Sequence, residues 1–413
     1  MEIIRKDLTY TEDRAALEVL LSHAFGNVSL EDALLYDIET TGLNPKASQL
    51  YLLGVLLFRK ENSEFIQYFA ESVRDEEEIL EQFFQLCQTK KVLISFNGEG
   101  FDNRFIEAMA KSYGKLPLHL NLKQLDLFKL IRKRKKFYGL ESCSLKSCER
   151  FLGIYREDRC NGGELISVYR EYLQDKCSEK KNMLLLHNRE DIQNLPDLFS
   201  FLAYENIFQG NIKFQTAEFL GSEEIKNIKY HHQTKNPLET AHLELESSLQ
   251  IKKFELEEEQ KSRTAKKLCL RFSLPSSVPV SLTLTPKNYL LEIKDKSLIL
   301  TVPLYQGELC YFFKDYKDYE FIPSEDRVVH KSLASMYPKE MWEKTKASTA
   351  YQKMKASFLP VFQEGEKVFK KTYQDKQCFI PFKENTFESI SPVEYLLSFF
   401  KSFFSPSSHS QKQ

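Results

Sequence analysis

Four carboxylates and one imidazole, in three separated clusters, carry the chemistry of this 413-residue chain. The first cluster is Tyr36-Asp37-Ile38-Glu39-Thr40-Thr41-Gly42-Leu43, the second Asn97-Gly98-Glu99-Gly100-Phe101-Asp102, the third His187-Asn188-Arg189-Glu190-Asp191. Each sits where a buried element is expected to end, and a carboxylate there is costly unless something compensates it. A pair of divalent metal ions would do so, and two metals held by carboxylates are suited to cutting phosphodiesters.

The spacings allow such a site. Asp37 and Glu39 are two apart in an extended segment, so their side chains share a face. Gly42 lets the chain turn sharply afterwards. Asp102 follows a short strand and a glycine-bearing turn, near the start of a helix. His187 and Asp191 are four apart in a helical stretch, on one face and about 6 Å apart along the axis. Asp37, Glu39, Asp102 and Asp191 would hold two Mg²⁺ or Mn²⁺ ions about 3.5–4 Å apart, since hard oxygen ligands favour these ions. His187 is placed to take a proton from an attacking water, because imidazole titrates near neutral pH.

The elements that must position these residues form a strand-strand-strand-helix-strand-helix-strand series. Residues 11–24 read as a helix. Strands are expected at 33–36, 50–58, 64–70, 92–96 and 122–127, with helices from Asp75 and over 101–113 and helical structure after the last strand to about residue 207. The run from Leu50 to Phe58 is almost wholly apolar, as in a strand buried on both faces. The order implies an α/β domain, a mixed five-stranded sheet flanked by helices. Residues 1–209 form this domain in our reading. Residues 210–265 read as a charged linker or helical segment, rich in Glu, Lys and Gln over 221–265. Residues 266–404 read as a β-rich α+β accessory domain, with strands at 268–274, 278–285, 289–293, 298–304 and 309–313 and short helices from 326 to 372. Residues 405–413 are expected to be a disordered tail.

Composition narrows the class. The formal net charge is -1, so any nucleic-acid contact must come from a local basic patch and not from the whole surface. No run of about 18 apolar residues is present, so no membrane span is expected. The N-terminus lacks the apolar core of a secretory signal, and the eight cysteines read as reduced thiols, which points to the cytoplasm. The spacings between Cys143, Cys148, Cys160 and Cys177 (4, 11 and 16 intervening residues) fit no zinc pattern well, and small buried hydrophobes is the plainer reading.

The three clusters resemble the motifs of DEDD exonucleases of the ribonuclease H-like superfamily: Asp-x-Glu, then Asp, then His or Tyr followed by Asp. Asn97-Gly98-x-x-Phe101-Asp102 is similar to the second motif of the proofreading domain of family B DNA polymerases and of bacterial YprB-like predicted exonucleases. The resemblance covers roughly residues 30–205. It implies a ribonuclease H-like fold and a metal-dependent 3′–5′ exonuclease acting on a single-stranded or frayed end of DNA or RNA. It also implies substrate-binding roles: the backbone near Thr40 and Thr41 holding the terminal nucleotide, Leu43 wedging between the last bases, and Asn97 positioning the strand. One departure is the spacing of His187 from Asp191. Family members with His usually place four residues in between, and this chain has three, the spacing of the Tyr type.

Other readings compete. The old site could bind metal and nucleic acid without cutting, or the chain could be a structure-specific endonuclease of the same superfamily. Asp126 is a possible fifth ligand or a cap for the following helix. The run Arg132-Lys133-Arg134-Lys135-Lys136 could contact phosphates or be a solvated face. The aromatics from Tyr311 to Phe321 could stack bases or pack a core. His330 with Glu325 and Asp326 reads as a surface turn or cap before it reads as a second site.

Overall fold

The computed structural model describes all residues except 9–13, 61, 159, 161, 221–265, 364, 366, 384 and 406–413. Two compact units are present, Met1–Glu205 and Asn206–Ser405.

The first unit is built on a six-stranded sheet. In chain order its elements are β1 (Glu2–Leu8), α1 (Arg14–Phe25), β2 (Ala33–Thr40), β3 (Leu50–Phe58), β4 (Ser63–Phe69), α2 (Glu76–Cys87), β5 (Val92–Ser95), α3 (Asp102–Ser112), β6 (Lys123–Asp126), α4 (Leu127–Lys133), α5 (Lys135–Tyr138), α6 (Leu145–Phe151), α7 (Gly162–Asp175) and α8 (Ser178–Gln193). The sheet order is β1-β4-β3-β2-β5-β6. Strands β1 to β4 pair antiparallel, and β5 and β6 continue the sheet parallel to β2.

Burial explains the layering. Every residue of β3 is buried, as its apolar run requires, because helices cover both faces of the sheet. Helix α2 puts Ile79, Leu80, Phe83 and Phe84 into the core that also takes Phe105, Ile106 and Met109 of α3 and Leu184 of α8. Each such side chain contributes about 1.5–3 kcal/mol on leaving water. The three acidic residues in the first turn of α2 suit the positive end of its dipole.

The sheet has one strand more than the five expected. Strand β1 pairs with β4 from Glu2↔Phe69 to Leu8↔Ser63 at the sheet edge. It is mostly solvent-facing and rich in charge, as edge strands tend to be, so no apolar alternation marks it.

The second unit is dominated by antiparallel strands. One sheet has the order β7-β8-β11-β10-β9, where β7 is Lys213–Leu220, β8 Lys267–Ser273, β9 Leu282–Leu284, β10 Leu290–Lys294 and β11 Ser297–Pro303. The presence of β7 corrects the reading of 210–265 as linker or helix throughout; residues 221–265 lie outside the described residues, as does nearly all of the tail expected to be disordered. A small closed barrel joins β12 (Tyr305–Phe312), β16 (Tyr351–Val361), β18 (Cys378–Pro381) and β17 (Phe369–Lys370). A three-stranded sheet contains β13 (Tyr319–Ile322), β14 (Arg327–His330) and β15 (Glu343–Lys344). The short helices expected over 326–372 are therefore mostly strands.

Two features read two ways from the sequence have partners here. Tyr311 packs against the barrel core of Leu309, Phe358, Phe369 and Phe379, and Phe313 stacks on Tyr319 at 4.5 Å. These rings are structural partners of one another. His330 caps the short helix Lys331–Ala334 by accepting from the Ser332 N–H, and Asp326 is engaged by Tyr351 and Lys353. The eight cysteines are free thiols. Burial pushes the Cys87 and Cys148 thiols up to about 12, the behaviour of inert core groups.

Candidate active site

Strand β2 delivers the first cluster from the middle of the sheet. Asp37 lies opposite Gly54 and Glu39 opposite Leu52 on β3, and the register slips at a bulge between Glu39 and Thr40. Bulges re-aim side chains beside functional sites. Glu39 is buried, and Asp37 is half-buried.

The second cluster folds through a tight turn after β5. Asn97 adopts a left-handed φ of 68°. Gly98 packs so closely that a Cβ there would lie 2.2 Å from Ser95 Oγ and 2.8 Å from the Tyr36 hydroxyl. Asp126, at the end of β6, closes the turn. Its carboxylate accepts from the N–H groups of Asn97 (2.8 Å) and Glu99 (3.3 Å) and caps α4 through Phe128 (3.1 Å). It is thus a cap and turn anchor, as its position before a helix suggests. The turn launches α3, whose first residue is Asp102, buried beside β2 where the Ile38 N–H supports its carboxylate.

Helix α8 brings the third cluster over β3 and β2. Gly54 makes this approach possible, since a Cβ there would lie 2.2 Å from both Asn188 Oδ1 and Ile192 Cδ1. Fully buried Asn188 ties the helix to the sheet: it donates to Asp37 Oδ2 at 3.1 Å and accepts from Gln67 Nε2 at 3.0 Å.

Ligand atoms of Glu39, His187 and Asp191 lie within 4.8 Å of one another. His187 Nε2 is 3.6 Å from both Glu39 Oε1 and Asp191 Oδ2. Asp37 and Asp102 share the same electrostatic enclosure. Burial, then repulsion from Asp191, Asp102 and Glu39, holds the Asp37 carboxyl well above the usual carboxylate range. Burial, then Asp191, Asp102 and Asp158, does the same to Glu39. Asp102 is raised by burial too, with Asp126 and Asp191 adding to it against support from backbone N–H groups. A group of buried oxygens that resist ionising together is what a divalent cation would relieve. The donor set suits a hard cation.

Three contributors escape the sequence motifs. Arg156, between α6 and α7, has a buried side chain that donates to Asp191 and, bidentately, to Glu149 on α6, with a 2.7 Å bond to Oε1. Asp158, two residues on, places its Oδ2 2.7 Å from His187 Nδ1. Glu149 is in turn held by Asn194 Nδ2 at 3.0 Å. No periodicity or motif marks this segment; a charged Arg-x-Asp in a connection is its one signal.

The residues expected to bind substrate differ in what they offer. Leu43 is 82% exposed. The Thr40 hydroxyl is spent on Gly42 O (2.9 Å), and Thr41 exchanges hydrogen bonds with the Gln49 backbone. Exposed Asn97 borders an open groove of about 570 Å³, lined also by Phe96, Phe128, Arg132 and Lys135. Of the basic run, Arg134 is turned inward to Glu205 at 3.0 Å, while Arg132, Lys133, Lys135 and Lys136 are exposed.

Residues 34–203 match the model of the RNase_H superfamily (RNase_H_2), and the six-stranded mixed sheet with its helices is ribonuclease H-like. The chain is 28% identical over 177 residues to the uncharacterized protein MJ0365 of Methanocaldococcus jannaschii, covering 41% of this chain and 94% of that one. Solved structures with partial likeness include exonuclease I of E. coli in complex with a dT13 oligonucleotide, at 14% identity and a TM-score of 0.26 over 30% of this chain and 36% of that one. Another is the family B DNA polymerase of the archaeon Pyrobaculum calidifontis, at 11% identity and a TM-score of 0.33 over 73% of this chain and 39% of that one. The chain thus spans well under half the length of either of these proteins. The fold assignment rests on the superfamily match and the sheet order. Among the described residues, no helix is long and apolar enough to cross a membrane.

Proposed function

We propose that the ribonuclease H-like domain is a metal-dependent nuclease, a DEDD-type 3′–5′ exonuclease that removes nucleotides from single-stranded or frayed nucleic acid. The observation that carries this reading is the convergence of Glu39, His187 and Asp191 within 4.8 Å, inside a wider enclosure of mutually repelling carboxylates that includes Asp37 and Asp102.

Asp37, Glu39, Asp102 and Asp191 would hold Mg²⁺ or Mn²⁺. The ions would supply charge neutralisation and activation of water for attack on the phosphodiester. His187 offers Nε2 toward Glu39 and Asp191 as the proton acceptor. Leu43 is free to separate terminal bases, and the groove from Asn97 to Lys135 offers aromatic surface and positive charge to an unpaired strand. The Arg132 guanidinium lies 5.6 Å from the centroid of Phe128, and Phe96 meets Phe128 edge-on at 5.7 Å. Such surfaces suit bases and phosphates.

Labelled DNA and RNA strands incubated with the full chain, with and without Mn²⁺, test the proposal. We expect stepwise shortening from the 3′ end that needs the metal, stops at a blocked 3′ end and disappears in Asp102→Ala. Cutting past a blocked end would favour an endonuclease. A second reading is favoured by the ion pair of Arg156 with Asp191: a nucleic-acid-binding module whose internal cation replaces part of the metal site. Strand binding without shortening at any Mn²⁺ concentration would select it.

A further inference from the structure

We propose that Asp158 is the positioning residue for His187, fixing the imidazole so that Nδ1–H points to Asp158 and the Nε2 lone pair faces Glu39 and Asp191. This deepens the nuclease reading and rests on it for its catalytic meaning.

The geometry is that of a built site. His187 Nδ1 and Asp158 Oδ2 are 2.7 Å apart, and both residues are buried, at 6% and 8% exposure. The Asp158 carboxylate is anchored by two further donors, the Lys146 ammonium on Oδ2 at 2.9 Å and the Cys160 N–H on Oδ1 at 2.9 Å. The strap that carries it is clamped from α8 itself: Glu190 accepts from the N–H groups of Glu157 at 3.0 Å and Asp158 at 2.9 Å. Lys146 also reaches Cys160 O at 2.6 Å. Histidine and strap therefore cannot move independently.

An acceptor-only carboxylate at Nδ1 selects the tautomer with its proton there. The other nitrogen then lies 3.6 Å from Glu39 Oε1 and from Asp191 Oδ2, with its lone pair turned into the enclosure. Burial by itself would raise the Asp158 carboxyl; hydrogen bonds from Lys146, Cys160 and His187 outweigh it and hold it below the usual carboxylate range. Asp158 thus stays an acceptor at neutral pH. The arrangement also bears on the spacing of His187 from Asp191: a histidine at the tyrosine-type position acquires an orienting group from outside the motif.

Two measurements test this. The full metal-free chain, labelled with ¹⁵N-histidine, reports the His187 tautomer by long-range ¹H–¹⁵N correlation, with His187→Gln providing the assignment. We expect Nδ1 protonated in the neutral ring, and mixed tautomers in Asp158→Asn. Protonation on Nε2 in the unmodified protein overturns the inference, whether or not the variant folds.

The second measurement is cutting of a labelled single strand with Mn²⁺. Asp158→Asn is expected to lower kcat by about 10²-fold, within the range a general base supplies, with little change in KM, and Asp158→Glu is expected to recover part of it. In a His187→Gln background the same substitution should cost nothing further, as coupled residues behave. A penalty that persists there marks a structural role and overturns the inference while leaving the nuclease reading intact. An unmodified chain that cuts no strand overturns the nuclease reading, and the tautomer measurement still decides the role of Asp158.

Discussion

Gly54 and Asn188 meet where β3 runs beneath α8, so close that a Cβ on Gly54 would lie 2.2 Å from Asn188 Oδ1. Asn188 uses the same amide to hold Asp37 from its nitrogen and Gln67 from its oxygen. Gly54→Ala must push the helix outward or break that bridge. We expect a loss of about 1–3 kcal/mol, as for overpacked cores, measured by denaturant unfolding. Metal-dependent cutting should fall more steeply than stability, because Asp191 moves with the helix. Gly54→Ala with unchanged activity and stability would show that the helix has slack here.

Arg156 and Glu149 form a buried ion pair at 5% and 1% side-chain exposure. Removing one partner strands the other charge in the interior. Arg156→Met should therefore destabilise the protein by about 3–5 kcal/mol. The double variant Arg156→Met/Glu149→Leu should recover part of that loss, the remainder reflecting Asp191, which also loses the guanidinium. Additive penalties in the double variant, read from unfolding midpoints, would refute the pairing.

Carboxylates that repel one another cost stability until a cation arrives. Asp37→Asn makes this position permanently neutral, ending its share of the repulsion, while preserving an acceptor for Asn188. We expect it to raise the melting temperature of the metal-free chain. Mn²⁺ should raise the melting temperature of the unmodified chain and have a smaller effect on the variant, by the linkage of binding to folding. A calorimetric scan in which Mn²⁺ stabilises neither would sink the metal site.

His119 gives stability a pH dependence away from the active site. It is fully buried, stacked on Phe84 at 5.8 Å, with Nε2 3.2 Å from Asn103 O. Burial pushes it down to about 4, with the Asn103 carbonyl opposing the shift. The unfolded chain takes up this proton first, so stability is fully present above about pH 6.5 and declines as pH falls toward 4. The accumulated loss is about 3 kcal/mol. His119→Gln should flatten that part of the profile. An unchanged slope between pH 6.5 and 4 would assign the pH dependence elsewhere.

Much of the fold was legible because apolar runs and polar interruptions are local signals. Asp37 and Glu39 stand out as acids within a buried strand, and His187 and Asp191 as a pair at helical spacing. The remainder depends on contacts that no local pattern encodes. Strand β1 is an edge of charged residues. Strand β16 begins Tyr351-Gln352-Lys353-Met354-Lys355-Ala356, a composition suited to helix, and barrel pairing overrides it. Asn188 sits inside a recognised motif, yet its partner lies 151 residues away. Arg156 and Asp158 belong to a connection without periodicity, and only the folded chain reveals what they touch.

The clamp by Glu190 has a wider implication. A single side chain of α8, that of Glu190, holds the backbone of the strap that carries both the guanidinium on Asp191 and the carboxylate on His187. Charge compensation and ring orientation are therefore geared together. Loosening that one tether would detune two separate duties at once.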